Sequence, residues 1–244
     1  MYKKVTFFLL ILIFISSLWS DFEIDIESGA IFTGYNNVRI PGDQGTLFSL
    51  KDDLKTDVEP YFRSRLIYHF NPKHHISLLY APLTLKAHGK MDQNVEYQEE
   101  IFLADTELTS IYKFNSYRVS YRYDFIRKTD ITFGMGFTAK IRDAEISLKN
   151  NEIEAEKKNV GFVPIVNFRL NWKIKEQLSI ILEGDALAAP QGRAEDIALS
   201  IYHQFKNKLG LRIGYRLLEG GADNDKVYTF SLFHYAALGL SYKF

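Results

Sequence analysis

Apolar and polar residues alternate with period two along most of this chain. The stretch LFHYAALGLSYKF (232–244) shows the pattern well. Leu232, Ala236, Leu238, Leu240, Tyr242 and Phe244 form one set, interrupted by His234. Phe233, Tyr235, Ala237, Gly239, Ser241 and Lys243 form the other, which turns small and polar toward its end. Such alternation predicts a strand whose two faces meet different environments. It recurs often enough to predict ten strands, near 22–35, 58–70, 75–87, 111–125, 130–148, 160–174, 177–188, 195–206, 208–218 and the stretch just quoted. A count of eight or twelve stays open if segment 88–110 holds no strand or an extra hairpin. The third strand is apolar on both faces, so its register is the least defined.

The connections differ in length. NPKH (71–74), IRKTD (126–130), KEQ (175–177) and KNK (206–208) read as tight turns, whereas 36–57, 88–110, 149–159, 188–195 and 218–226 read as longer polar loops. Short turns on one side and long loops on the other suit an up-and-down barrel in a membrane, with both ends on the short-turn side. The expected fold is therefore all-β, a transmembrane antiparallel barrel of about ten strands.

A soluble barrel would turn its apolar face inward, and a membrane barrel turns it out to lipid. The polar rows here combine Arg with Gly, Ser, Thr and Asn, which suits a crowded lumen. The apolar rows place Phe22, Tyr68, Phe70, Phe125, Trp172, Phe205, Tyr242 and Phe244 near strand ends, where membrane interfaces favour aromatic rings. The lumen is then expected to hold Glu23, Asp25, Glu27, Arg63, Arg65, Arg118, Arg122, Lys140, Arg142, Arg169, Glu183, Asp185, Arg212 and Arg216. Buried charges persist only when paired, so these residues are expected to plug a narrow barrel. The alternative is that Arg118, Arg122, Lys140, Arg142, Arg169 and Lys173, with few acids beyond Asp124, line an anion path.

Residues 1–20 (MYKKVTFFLLILIFISSLWS) have a basic start, an apolar run and small residues before Asp21. That is the layout of a cleaved signal peptide, which leaves 21–244 as one barrel domain. Cysteine is absent and formal net charge is zero. These exclude thiolate sites and remove the bulk electrostatic case for nucleic acid.

With that leader, the amphipathic strands and the terminal Tyr242-Lys243-Phe244, the chain resembles Gram-negative outer-membrane β-barrels. FNSYRVSYRYDF (114–125), DALAAPQGRAED (185–196) and LEGGADNDKVYTF (218–230) also resemble a set of uncharacterised members. The resemblance implies outer-membrane lipid as the surroundings, and the barrel-assembly machinery as a partner that reads Tyr242 and Phe244. It implies no activity, and nothing in the pattern sets the oligomeric state.

Six histidines invite a search for chemistry. His69, His74 and His75 cluster at a short turn, but neighbours on a strand point oppositely, a poor geometry for a metal. His203 and His234 fall on the apolar face near the interfaces. His88 lies near Asp92, Glu96, Glu99 and Glu100, and a loop histidine in water is expected. EGGADND (219–225) reads as a solvated turn rather than a Ca²⁺ loop, and KNNEIEAEKK (149–158) as a charged mobile tip. No nucleotide, zinc or catalytic motif appears, so no metal or cofactor is expected. The function expected is a non-enzymatic barrel, structural or passing small solutes, anions in particular. Two alternatives stay open: a surface hydrolase acting on lipid or peptide near His88, and an adhesin or receptor using LFSL (47–50) and IFL (101–103).

Overall fold

The computed structural model describes residues 21–190 and 192–244; the expected leader over 1–20 lies outside them. Among the described residues ten long strands make the wall: β1 (Phe22–Arg39), β2 (Glu59–Asn71), β3 (His74–Ala81, resuming as Thr84–Lys90), β4 (Glu107–Arg127), β5 (Ile131–Lys149), β6 (Glu154–Lys175), β7 (Leu178–Ala189), β8 (Gly192–Gln204), β9 (Leu209–Asn224) and β10 (Val227–Lys243). Each pairs antiparallel with the next. β10 returns to β1, from Lys243 opposite Glu23 to Tyr228 opposite Arg39, and closes the barrel. Closure leaves no free edge between first and last strands. Gly29, with φ near +149°, brings β1 and β10 so close that a Cβ there would strike the Ala236 carbonyl at 1.9 Å.

Exposure settles which face is inside. Phe137 is 73% exposed, and Ile24, Ile26, Phe62, Leu66, Val119, Met135, Ile201 and Leu240 are also exposed, while Asp25, Glu27, Arg63, Arg118, Glu183 and Arg216 are buried. This inverts a water-soluble protein, so the apolar face is built for lipid. From Ile131 to Ile141, along a strand tilted as barrels require, the apolar row spans about 25 Å, the height of a membrane belt.

Both described ends lie on the short-turn side, where Phe244 N–H donates to the Phe22 carbonyl and His69 N–H to that of Asp21. On the other side the structure corrects the expected loops. Segment 149–159 is not a long loop, and the tip expected over 149–158 shrinks to a turn at 150–153: β5 and β6 stay paired from Ile131 opposite Trp172 to Lys149 opposite Glu154. Likewise most of 219–225 is strand, because β9 runs through Asn224 and pairs with β10 to that point, and the exposed turn shrinks to Asp225 and Lys226. Backbone pairing carries these hairpins past the apolar belt, where the outward residues are polar and the alternation is short. The asymmetry of the ends rests on two loops, 40–58 and 91–106.

Those two loops fold into the barrel mouth. Phe48–Ser49 adds to β1, Lys55–Thr56 adds to β3, and Val95–Tyr97 pairs with Glu100–Phe102. Phe48, Leu50, Leu54, Val95, Tyr97 and Phe102 bury themselves against inward residues of the wall, among them Ile31, Leu85, Leu108, Leu148 and Phe233. The Tyr97 hydroxyl donates to the Ile146 carbonyl at 2.7 Å, and burial pushes that phenol's pKa up. The doubly apolar third strand is explained here: Leu78 and Tyr80 face out, Leu79 faces the lumen below, and Leu83 and Leu85 face this plug. The contact surface expected from LFSL and IFL is largely spent inside, since Phe48, Leu50 and Phe102 are buried and only Leu47, Ile101 and Leu103 are exposed.

Candidate functional site

Below the plug, inward rows from seven strands meet in one charge network. Arg216 donates from Nε to Glu27 at 2.8 Å and from Nη1 to Asp196 at 2.6 Å. Asp196 also takes Arg63 at 2.9 Å and Arg118 at 2.7 Å. Arg212 grips Asp25 at 2.8 Å and Glu27 at 2.9 Å. Arg65 and Arg169 converge on Glu183 at 3.1 and 2.6 Å. Arg118 reaches Asp185, which Thr138 also serves at 2.6 Å. Six arginines (63, 65, 118, 169, 212, 216) thus face five carboxylates (25, 27, 183, 185, 196).

The sequence places these groups by parity. Inward positions recur every second residue, so Asp25 and Glu27, Arg63 and Arg65, and Glu183 and Asp185 each come as adjacent rungs. Gly239 makes room for the Arg212 side chain: a Cβ there would sit 2.5 Å from its Nε. Asp25 lies opposite Arg65 and Glu27 opposite Arg63 in register, yet the short ion pairs of Arg63 and Arg65 cross the lumen instead. Those cross-lumen bonds tie β2 to β7 and β8, β4 to β7 and β8, and β1 to β9. They brace the wall as neighbouring pairs could not.

The basic sector expected as an anion path is largely neutralised. Arg118 and Arg169 are held by acids from other strands, and Arg122 donates to Asp124 at 2.9 Å. Lys140 and Arg142 differ. Lys140 is buried with its Nζ 4.7 Å from the Phe114 ring centre, and Arg142 donates to Asn159. The residue that the sequence reading missed is Asp196, which takes three arginines. It shares the inward parity of Ser200 and Tyr202 and falls within the strand expected over 195–206, so the alternation that marks its neighbours marks it too.

Void space divides at this network. Beside it the lumen holds a space of only about 40 Å³, lined by Arg65, Arg122, Asn167, Glu183 and Arg216 among others, which is room for a few waters. Toward the short turns opens a polar vestibule of about 520 Å³. In it His69 Nδ1 meets His75 Nδ1 at 2.7 Å, His69 Nε2 meets Glu23 at 3.1 Å, and His75 Nε2 meets Asp124 at 2.9 Å. The histidine trio is therefore split: His69 and His75 face each other across the β2–β3 hairpin, and His74 turns outward to the Tyr121 hydroxyl. The direct contact between the two Nδ1 atoms leaves no space for a metal ion between them, and no metal-ligating cluster exists among the described residues.

Toward the loops opens a larger, mainly apolar cavity of about 590 Å³, lined by inward Tyr112, Phe114, Lys140, Arg142, Leu218 and Phe233 and by outward Phe162, Arg193 and Glu219. It adjoins a break in the wall. β6 pairs with β7 only from Val166 to Lys175, so Glu154–Ile165 is paired with β5 alone.

At the rim on the loop side, His88 Nδ1 lies 3.7 Å from Asp57, with side chains 55% and 47% exposed. His88 is thus on a strand and paired with Lys55, rather than on a free loop. His203 stacks edge-on with Phe205, and His234 lies against Tyr215, both on the apolar face.

No family model matches the chain, and no curated protein does. Solved structures do resemble it. The outer-membrane protease OmpT of Escherichia coli superposes with a TM-score of 0.59 at 9% identity, covering 91% of this chain and 96% of that one. This chain has the fold of a Gram-negative outer-membrane β-barrel. Weaker likenesses are the attachment invasion locus protein Ail of Yersinia pestis (TM-score 0.41, 9% identity, 91% and 98% covered) and the toluene transporter TodX of P. putida (0.38, 8%, 92% and 90%). At such identities the likeness extends to the fold alone.

Proposed function

We propose that this protein is a sealed, non-enzymatic barrel of the outer membrane, exported by a leader over residues 1–20. Its short turns face the periplasm and its two folded loops face outward, and the barrel-assembly machinery reads Tyr242 and Phe244 on β10. The observation that carries this reading is the midlumen network, where six guanidinium groups and five carboxylates cross-link the wall and leave about 40 Å³ beside them. The plug of Phe48, Leu50, Tyr97 and Phe102 closes the mouth above it. A conducting filter needs groups that release an ion as readily as they hold it. These charges hold one another. The test is swelling of vesicles carrying the refolded protein in isotonic small sugars and amino acids. The sealed reading expects rates equal to those of empty vesicles, and swelling that depends on solute size would refute it.

A second reading, a surface hydrolase acting on peptide or lipid, is favoured by the His88–Asp57 contact at the outer rim and by the barrel likeness to a protein named a protease. Its expected signature is cleavage of a peptide or lipid ester that is abolished by His88→Ala. Against it, at 3.7 Å the pair makes no hydrogen bond and both groups stand in solvent, as in a surface ion pair. Unchanged cleavage in His88→Ala would dispose of it.

A further inference from the structure

The cavity beneath the loops combines three features that the sealed-barrel reading does not use. Its surface is mainly aliphatic and aromatic, and its volume of about 590 Å³ lies within the range of small-molecule sites. Of the described cations lining it, Lys140, Arg142, Lys157 and Lys226 have no carboxylate within ion-pair distance, and the first two occupy successive inward positions of β5. Lys140, only 3% exposed, lies over the Phe114 ring, and half-buried Arg142, which donates from Nη2 to Asn159, has a buried Nε with no hydrogen-bond partner. The two carboxylates in the lining, Glu145 and Glu219, sit on outward positions and are already engaged, by Lys113 and Lys158 and by Arg193. Finally, the cavity reaches the unpaired upper edge of β6, where Phe162 is 67% exposed at the end of the lipid-facing row. Backbone left unpaired at membrane depth is tolerated only where it borders protein or a wet cavity, so this edge marks an opening rather than a defect.

We infer that this cavity binds an amphiphilic organic anion, an alkyl or aryl body carrying one carboxylate, taken up from the outer leaflet through the gap between β6 and β7. The apolar body lies against Leu218, Phe233 and Tyr112, and the carboxylate accepts hydrogen bonds from Lys140 Nζ and Arg142 Nε. Two adjacent inward cations with no carboxylate in contact are a poor device for stability, but they select charge. A neutral chain of equal length leaves both cations unpaired, and a cationic one is repelled.

The experiment is equilibrium dialysis of the full barrel, refolded into phosphatidylcholine nanodiscs, against dodecanoate, dodecanol and dodecyltrimethylammonium, with empty discs as the partition blank. Saturable binding of dodecanoate above the blank is expected, and blank-level uptake of the other two. One charge-assisted contact is worth tenfold or more in affinity, so Lys140→Met and Arg142→Met should each weaken dodecanoate by at least about tenfold. Ala144→Trp keeps both cations, fills the space and should abolish binding, which covers the event that Lys140→Met fails to fold. Equal uptake of all three amphiphiles, or dodecanoate binding unchanged by the variants, would overturn the inference. Loading from dodecanoate already dissolved in the disc supports entry through the wall, and loading from buffer alone would overturn that route.

Discussion

Arg216 is the residue on which the account of the lumen can be tested most sharply. It is 2% exposed and makes three hydrogen bonds, at 2.8 and 3.0 Å to Glu27 and 2.6 Å to Asp196. Removing one partner of a buried ion pair costs about 3–5 kcal/mol when the other is left alone. Here neither carboxylate is left alone. Glu27 keeps Arg212 at 2.9 Å and the Tyr61 hydroxyl at 3.2 Å, and Asp196 keeps Arg63 and Arg118. Six arginines against five carboxylates also means that losing one cation balances the cluster. Arg216→Met should therefore cost about 3 kcal/mol, the low end of that range. Asp196→Asn works the other way. It leaves six cations against four anions and weakens the hold on Arg63, Arg118 and Arg216 together, so about 5 kcal/mol is expected. Arg193→Met, whose partner Glu219 it meets from a half-exposed position, should cost under about 1 kcal/mol. The assay is reversible urea unfolding of the refolded barrel in lipid vesicles. A protein made without residues 1–20 has Trp172 as its one tryptophan, and its fluorescence reports the transition. If Arg216→Met costs no more than Arg193→Met, or more than Asp196→Asn, the lumen is solvated or the charge count is wrong, and the network argument falls.

Arg118→Ala and Arg169→Ala should each lower unfolding stability by about 3 kcal/mol or more and leave the bilayer silent; altered ion selectivity with stability intact would revive the anion path. Phe102→Ala should cost about 3–5 kcal/mol in the loop plug, seen as faster protease cleavage within 91–106 while β-sheet circular dichroism is retained; resistance equal to the parent would contradict the packing. The His69–His75 contact requires one ring to donate and the other to accept, while both outer nitrogens donate to carboxylates. His75→Phe breaks two of these three links and should cost about 1–3 kcal/mol by the same urea assay, and a neutral effect would show that the relay is not formed.

How much of this could be read from the residues depends on what generates the signal. Alternation marks the wall wherever one face meets lipid and the other meets the lumen, so rows such as Tyr117 to Phe125 against Ser116 to Asp124 declare strand, face and orientation together. Above the belt the outward face of a hairpin meets water instead of lipid, so KNNEIEAEKK offers only a short alternation, Ile153 and Ala155 between glutamates, although all but its turn at 150–153 lies in paired strand. The plug gives a different kind of signal. Apolar fragments stranded in polar loops, LFSL and IFL, turn out to fill the mouth rather than meet a partner. Ion-pair partners were not legible beyond neighbouring strands, because tilt and curvature decide which rungs meet across the lumen. Arg63 finds Asp196 on β8 at 2.9 Å, whereas Glu27, opposite it in register, lies 3.8 Å away.

Single-channel recording of the refolded protein in a planar bilayer tests the central claim most directly. A folded barrel that carries no steady current at any applied voltage is the result expected of a lumen sealed by its own charges. Reproducible, ion-selective openings from the same folded protein would contradict it, and would return Arg118 and Arg169 from bracing to conduction.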